Sequence, residues 1–403
     1  MEPNILTGSF QLMKSLNRSV ILNTIRKKGG ISRADIAKTT KLTPPTVSNL
    51  VKELLETEMI IETSLGVSSG GRKPTLLTLN SDMFHVIGLD IGSHHLKIIL
   101  TDINGRIRKK QIHPIPDSIT NEGLLDLMIT SIYAIQKNEQ IDRNKIIGIG
   151  IGMHGIVDVD QGVSVFAPNL KLKNIGIKDA LEKEFQMVVQ IENDARAMSL
   201  GELWFGNGHG DDSIVCINVG RGIGAGIIIN GQVFRGEHYI SGEIGHMAID
   251  LNGPKCTCGN YGCLQTFASG PAIVESLKKE LKLGESSILS NKENEIDGEV
   301  IYQAALAGDL LSKNILNKAG RYLGVGVTNL IHTVNPKRIV ISGGVSNAKE
   351  FILESVKKTI EQRALTDSAK QTEVIISKFG ADATVMGAIA LILAQLFATP
   401  GNT

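Results

Sequence analysis

The chain has 403 residues, 42% of them hydrophobic and 21% charged, which is enough for two or three packed domains and too apolar for disorder. No run approaches the roughly 20 apolar residues that span a bilayer. The first residues also lack the basic-then-apolar pattern of a secretory leader, so a cytoplasmic protein with no membrane partner is expected. The net charge of +1 is unevenly spread: residues 1–80 hold 11 Lys/Arg against 6 Asp/Glu, a net +5, and the remainder holds 31 against 35, a net −4. A basic N-terminal segment on a slightly acidic body fits a polyanion partner as well as it fits a solvated surface.

In chain order, Phe10, Met13, Leu16, Val20, Ile21 and Ile25 recur at helical spacing and predict a helix over 10–28, ended by Gly29-Gly30. Ser32 caps a short helix through Asp35, Ile36 and Ala37. After Lys41-Leu42, Thr43 caps the next, with Pro44 and Pro45 in its first turn and Val47, Leu50, Val51, Leu54 and Leu55 on one face. Two strands follow, Ile60–Thr63 and Pro74–Leu79, joined by a Gly/Ser-rich segment that carries Arg72-Lys73. This is the order of a winged helix-turn-helix.

From residue 85 the texture changes. His85–Ile91, Leu96–Asp102 and Arg106–His113 read as consecutive strands with a turn at Asn104-Gly105, followed by a helix near 121–138. Ile146–Met153 and Met187–Ile191 are apolar strands, and a helix follows at 194–203. The order then partly repeats, with strands at Ser213–Val219 and Ala225–Ile229 and helices near 270–282, 299–307 and 311–334. Strands at Arg338–Ser342 and Glu373–Ser377 and a tail helix at 383–397 complete it. Such a repeat predicts two similar α/β lobes with a cleft between them.

Four groups of residues carry chemistry. Thr46, Ser48 and Asn49 lie early in the second helix of the helix-turn-helix, where short polar side chains reach base edges, and Asn can bond adenine twice. Lys52 suits phosphate, and Arg72 and Lys73 suit the minor groove or phosphate. The alternative use of such a module is protein–protein contact. His246, Cys256, Cys258 and Cys263 follow the spacing H-x9-C-x-C-x4-C, which suits tetrahedral zinc with no open position, a structural site. Glu192-Asn193-Asp194 sits between a strand and a helix, where an Asp can serve as a general base or only as a helix cap, and Glu243 is equally ambiguous alone. Glycine-rich turns at Asp90-Ile91-Gly92-Ser93, Gly220–Gly226 (with Gly222 and Gly224) and Ser342-Gly343-Gly344 each end a strand and together suggest an ATP cleft.

These residues resemble the ROK family (repressors, uncharacterised frames and sugar kinases), in its repressor branch, from about residue 10 to the C-terminus. The resemblance rests on Cys256-Thr-Cys-Gly-Asn-Tyr-Gly-Cys-Leu-Gln265, preceded by Ser241-Gly-Glu-Ile-Gly-His246. Glu192-Asn-Asp-Ala195, Ala167-Pro-Asn-Leu170, Asn335-Pro336 with Ile339-Val-Ile-Ser-Gly-Gly344, and Gly71-Arg-Lys-Pro74 in the wing add to it. It implies an α/β chain: a winged helix-turn-helix at 1–80, then a two-lobed, actin-like (ribonuclease H-like) sugar-kinase fold. The first lobe is expected at 81–195 with the C-terminal helix 383–403, and the second at 196–382 with a zinc segment at 241–265.

By the same resemblance, Asn193, Asp194, Glu243, His246 and Asn169 would bind sugar hydroxyls, and Asp194 matches the family's catalytic base. His246 would serve sugar and zinc together. The departures matter as much. Family kinases carry a D-x-G-G-T-K turn, whereas Asp90-Ile-Gly92 is followed by Ser93-His94-His95; Arg221 replaces a Thr in the second turn; and Gln265 stands where a sugar-binding Glu is usual. The phosphate turns therefore read as vestigial and ATP is not expected. The expected function is a sugar-responsive regulator, a repressor of carbohydrate-utilisation genes released from operator DNA by a sugar bound between the lobes. A homodimer or homotetramer is expected. The alternative is an ATP-dependent sugar kinase, or a bifunctional protein, because Asp194 is retained.

Overall fold

The computed structural model describes residues 16–65, 74–208, 210–291 and 295–397. The chain divides into two compact units, Met1–Ala197 with Val385–Thr403, and Met198–Thr384.

The first unit opens with helices α1 (Leu16–Lys28), α2 (Arg33–Thr40) and α3 (Pro44–Glu56), then the hairpin β1 (Ile60–Leu65) and β2 (Thr75–Leu79). Ser32 caps α2 by accepting from the Asp35 amide at 3.1 Å, and Thr43 caps α3 by accepting from the Thr46 amide at 3.4 Å. Lys41, in the left-handed region with φ 59°, turns the chain between α2 and α3. Ile21, Ile25, Ile36, Val47, Val51, Leu54 and Leu77 are buried together as the core of this module. β1 and β2 pair antiparallel, and Ile31 adds a bridge to Leu77. Residues 10–15 of the expected first helix, and Arg72 and Lys73 of the wing, lie outside the described residues.

A five-stranded sheet follows, built from β3 (His85–Ile91), β4 (His95–Asp102), β5 (Ile107–Pro114), β6 (Ile146–Met153) and β10 (Val188–Asn193), in the order β10-β6-β3-β4-β5. β3, β4 and β5 are antiparallel neighbours, while β6 and β10 run parallel to β3. The turn after β4 is held by Asp102, whose Oδ1 accepts from the Asn104 and Arg106 amides at 2.9 Å. Side chains alternate across the strands. Ile87, Leu89, Ile149 and Ile151 share one buried cluster with Leu124, Met128, Ile132 and Ile135 of α4 (Asn121–Glu139).

Between β6 and β10 run three short strands, β7 (Ile156–Asp158), β8 (Val163–Ala167) and β9 (Leu172–Gly176), in a sheet of their own, and helix α5 (Ile177–Phe185). Sequence reading leaves this stretch unassigned, because strands of three to five residues, the last carrying Lys173 and Asn174, show no clear period. Helix α6 (Asp194–Phe205) then carries the chain from the first unit into the second.

The second unit repeats the plan, with β11 (Ile214–Val219), β12 (Ile223–Ile229), β13 (Gln232–Val233), β14 (Arg338–Ser342) and β15 (Glu373–Ile376) in the order β13-β12-β11-β14-β15. β11 and β12 are antiparallel, and β14 and β15 run parallel to β11. Helices α7 (Gly270–Lys282), α8 (Gly298–Leu306), α9 (Leu310–Val334) and α10 (Lys349–Arg363) supply the rest of its core, in which Leu277, Ile301, Leu323, Val327 and Val356 are buried with Val215, Ile217 and Ile339. α10 was not assigned from sequence, since its charged residues outnumber its apolar ones.

The last helix, α11 (Ala383–Leu396), returns to the first sheet. Gly88 of β3 and Gly148 and Gly150 of β6 point to the face opposite α4, and a Cβ on Gly150 would lie 1.8 Å from the Ala388 carbonyl oxygen. The helix backbone thus rests on the strand backbone, which only glycine permits. Just past α11, the Phe397 ring sits 5.6 Å from the Arg26 guanidinium of α1. Burial pulls the Arg26 pKa down to about 10, so the group stays charged at neutral pH. No helix among the described residues is long and apolar enough to cross a membrane.

Gly150→Ala is expected to lower stability by about 3 kcal/mol or more, by forcing α11 off the sheet. Urea unfolding of the full chain checks this; a midpoint unchanged from wild type would show that α11 yields at little cost.

Candidate functional site

Helix α3 presents its polar face to solvent: Ser48 and Asn49 are exposed and Thr46 half-buried, while Val47, Val51 and Leu54 face the core. The Thr46 hydroxyl is 2.8 Å from that of Thr43, so its position is tied to the helix cap. Lys52 lies 3.8 Å from Glu56 one turn on, which partly neutralises it. The first turn of α3 holds no acidic residue, so its positive end is uncompensated.

In the first unit, the C-terminal ends of β3, β6 and β10 finish level, since Met153 of β6 pairs with Ile91 on one side and Asn193 on the other. Asn193 Oδ1 accepts from the Ala195 and Arg196 amides at 3.0 and 3.2 Å, capping α6, and its Nδ2 donates to the Gly155 carbonyl at 2.9 Å. Asp194, partly buried in the first turn of α6, accepts from the Ala195 amide at 2.8 Å. Burial raises its carboxyl pKa, against the opposing effects of His154 and Arg196. Glu192, expected beside these residues in the connection, is instead inside β10 and fully buried, paired at 2.7 Å with the equally buried Arg196 one helical turn on. Asp90 lies 3.9 Å from Lys97, and Gly92 turns tightly by donating to the His95 carbonyl at 3.0 Å. Asn169 is exposed on the loop between β8 and β9.

The second unit brings the metal-ligand candidates together. His246 Nδ1 and the Sγ atoms of Cys256, Cys258 and Cys263 all lie within 4.8 Å of one another. The Cys256 Sγ–His246 Nδ1 and Cys258–Cys263 Sγ separations are both 3.7 Å. A tetrahedral zinc site with bonds of about 2.0–2.3 Å has ligand–ligand edges of about 3.5–3.8 Å. The set therefore fits zinc, and it is far too open for a disulfide. Backbone bonds shape the loop: the Cys256 amide donates to Asn260 at 2.7 Å and the Gly262 amide to Pro254 at 2.9 Å. A Cβ on Gly262, whose φ is 68°, would lie 1.5 Å from the Asp250 carbonyl oxygen.

The thiols are electrostatically mismatched without a cation. Burial raises the Cys256 pKa, but hydrogen bonds from Cys258 and from Gln265 bring it down to about 6. Burial and the neighbouring cysteines push Cys263 up to about 12. Gln265 Nε2 donates to Cys256 Sγ at 3.2 Å, so this amide faces the thiolate. Glu243 is exposed at the start of the short turn that carries His246.

Two of the glycine-rich turns meet in this unit. Gly220, Arg221 and Gly344, with Pro271, Tyr302, Leu316 and Val345, line a pocket of about 390 Å³. Gly222 and Gly224 sit at and beyond the turn, and Gly343 (φ 88°) packs against the Val219 carbonyl. His154, absent from the sequence-based set, stands at the end of β6 beside Asn193's partner Gly155. A single histidine after an apolar run carries no motif that would have marked it.

The comparisons with known proteins agree along the whole chain. The ROK family model matches residues 86–395, and a winged helix-turn-helix DNA-binding model matches residues 17–61. The xylose repressor of Caldicellulosiruptor bescii is 34% identical over 395 residues, 98% of this chain and 99% of that protein. A crystal structure of a ROK family transcriptional regulator, a homologue of the Escherichia coli Mlc protein, superposes with a TM-score of 0.86 at 31% identity, covering 96% of this chain and 97% of that one. A ROK family glucokinase from Streptomyces griseus, in complex with glucose and AMPPNP, superposes with a TM-score of 0.68 at 30% identity, covering 76% of this chain and 98% of that one. With an N-terminal winged helix-turn-helix ahead of an actin-like sugar-kinase fold, the chain belongs to the ROK family.

Proposed function

We propose that this protein is a DNA-binding transcriptional repressor of carbohydrate-utilisation genes whose effector is a monosaccharide. The observation that carries the reading is the α3 surface, which presents Ser48 and Asn49 to solvent on a basic module that precedes a sugar-kinase fold. The relative named as a xylose repressor, matched end to end, supports it and makes D-xylose the first sugar to test. Asn49 reads a base edge and Lys52, already shared with Glu56, contributes a phosphate contact. Arg72 and Lys73 of the wing contact the minor groove or phosphates. The proposed hydroxyl-binding groups are Asn169, Asn193, Asp194, Glu243, His246 and Gln265. The functional form is a homodimer or homotetramer.

Zinc held by His246, Cys256, Cys258 and Cys263 is structural. It neutralises the mismatched thiols and fixes the loop. Coordination through His246 Nδ1 leaves Nε2 for a second partner, which is how one imidazole serves metal and sugar.

A second reading, an ATP-dependent sugar kinase, is favoured by one observation: Asp194, the match to the family's catalytic base, stands at a strand end with a raised pKa. Against it stand Arg221 in the pocket lined by Gly220 and Gly344, and Ser93-His94-His95 in the first turn. In the repressor reading Asp90, Gly92, Gly222, Gly224 and Gly343 are also remnants of phosphate turns, and ATP is not a cofactor.

Fluorescence anisotropy with DNA from upstream of the protein's own gene, at fixed salt, tests the main reading. Asn49→Ala is expected to weaken specific binding about tenfold, and Lys52→Ala less and evenly across sequences. Equal, sequence-independent losses for both would remove Asn49 as a base reader. Asp194→Asn is expected to abolish release of DNA by the sugar, with no ATP-dependent phosphorylation in the wild type to lose; measurable turnover in the wild type would move the kinase reading forward. Elemental analysis is expected to find about one zinc per chain. Its removal should lower the melting temperature and open residues 241–265 to protease. Unchanged melting in fully metal-free protein would refute the structural role.

A further inference from the structure

Of the buried polar atoms without a hydrogen-bond partner among the described residues of the first unit, one belongs to the residue that follows the C-terminal end of β6. His154 follows the last residue of β6 and is only 7% exposed. Its Nδ1 is 3.0 Å from the Ile91 carbonyl oxygen. A carbonyl can only accept, so Nδ1 bears the proton, and in the neutral ring Nε2 is an acceptor. That Nε2 is buried and has no hydrogen-bond partner among the described residues. A buried acceptor without a partner is unfavourable, so its place in the fold calls for a reason.

The surroundings supply one. Because Met153 pairs with both Ile91 and Asn193, the residues one step on, Gly92, His154 and Asp194, stand side by side at three adjacent strand ends. That edge is where open parallel sheets bind their ligands. Both flanks of the imidazole are fixed: Nδ1 by β3, and the next residue, Gly155, by the Asn193 amide at 2.9 Å. The ring is therefore held in one orientation before any ligand arrives, and rigid acceptors bind hydroxyls with little entropy lost. Asp194 is near enough that His154 opposes the rise that burial causes in its carboxyl pKa.

We propose that His154 is a sugar-binding residue of this protein, its Nε2 accepting a hydrogen bond from one hydroxyl of a vicinal diol whose other hydroxyl is bound by Asp194. The proposal rests on the reading that a monosaccharide is the effector. It assigns His154 a direct contact and makes the relative orientation of two neighbouring ring hydroxyls a determinant of which sugar is accepted. A site built around two acceptors on adjacent strands discriminates against a sugar lacking either hydroxyl more strongly than an apolar wall would, because the loss leaves a buried group unpaired.

The test uses the full-length protein labelled with 15N-histidine, titrated with D-xylose, D-glucose, N-acetyl-D-glucosamine and myo-inositol. Calorimetry gives the affinities and long-range 1H–15N correlation follows the imidazole nitrogens. His154→Gln identifies the His154 signals and retains an acceptor of similar reach. The expected result is that one of these ligands binds, that the His154 Nε2 resonance moves upfield on saturation while Nδ1 stays in place, and that His154→Phe weakens binding about tenfold with partial recovery in His154→Gln. A Nε2 signal unmoved at saturation, with His154→Phe binding as tightly as wild type, overturns the assignment and leaves the sugar-effector reading intact. If the wild type binds none of the four, the effector reading falls, and the role of His154 falls with it. The nitrogen shifts are read in the wild type, and His154→Asn supplies the assignment should His154→Gln fail to fold.

Discussion

The close approach of helix α11 to the first sheet is the constraint on which that unit depends. A helix normally packs on a sheet through side chains from both partners. Here the strands contribute hydrogen at Gly88, Gly148 and Gly150; the Ala388 carbonyl fills the Cβ space at Gly150, Val385 and Ile389 crowd Gly88, and Ile392 crowds Gly148. These glycines alternate along β3 and β6 with Ile87, Leu89, Ile149 and Ile151, which pack toward α4. The same two strands run out into Gly92 and His154. Any slip of one residue in their pairing would exchange the two faces and also displace the strand-end residues, so the fold and the candidate site are specified by one register. α11 also carries Phe397 to the side of Arg26, which joins the winged module to the body of the same unit.

The two candidate binding regions solve the problem of buried charge in opposite ways. In the second unit, three thiols and an imidazole crowd within 4.8 Å, an arrangement that a divalent cation stabilises and that is unfavourable without one. In the first, Glu192 and Arg196 neutralise each other completely inside the protein, one helical turn apart across the strand-to-helix junction. Removing either partner would strand a charge in the core, so the pair fixes the path of the chain through Asn193 and Asp194. Asn193 is used in the same sense, its amide spent on the cap of α6 and on Gly155.

Much of this was legible in the sequence because the relevant signals are local. Ser32, Thr43 and the two prolines mark their helix starts by chemistry alone, and the cysteine spacing forecasts a cluster that the fold does assemble. The β3–β4–β5 meander follows from alternation and from the Asp102-Ile-Asn-Gly turn. What was missed depends on contacts between distant segments. The strands at 156–176 are too short to show a period, and α10 is too charged to show a stripe. Glu192 reads from sequence as part of a connection because nothing local says that β10 continues for two residues past Ile191; its pairing with β6 decides that. His154 is one histidine at the end of an apolar run, and only the carbonyl of Ile91, 63 positions earlier, reveals which of its nitrogens is left to accept.

The return of α11 has a consequence for how the chain is made. The face of the first sheet that carries Gly88, Gly148 and Gly150 is covered by a helix that begins at Ala383, long after β10 has ended at Asn193. At ribosomal rates of about 5–20 residues per second, the intervening stretch takes on the order of 10–40 s to synthesise. During that interval the second unit can complete itself from its own continuous sequence, while the first waits with an apolar, glycine-lined surface open to solvent or to a chaperone. The second unit can thus be finished before the first, and the body bearing the winged helix-turn-helix is closed by a helix made after that unit.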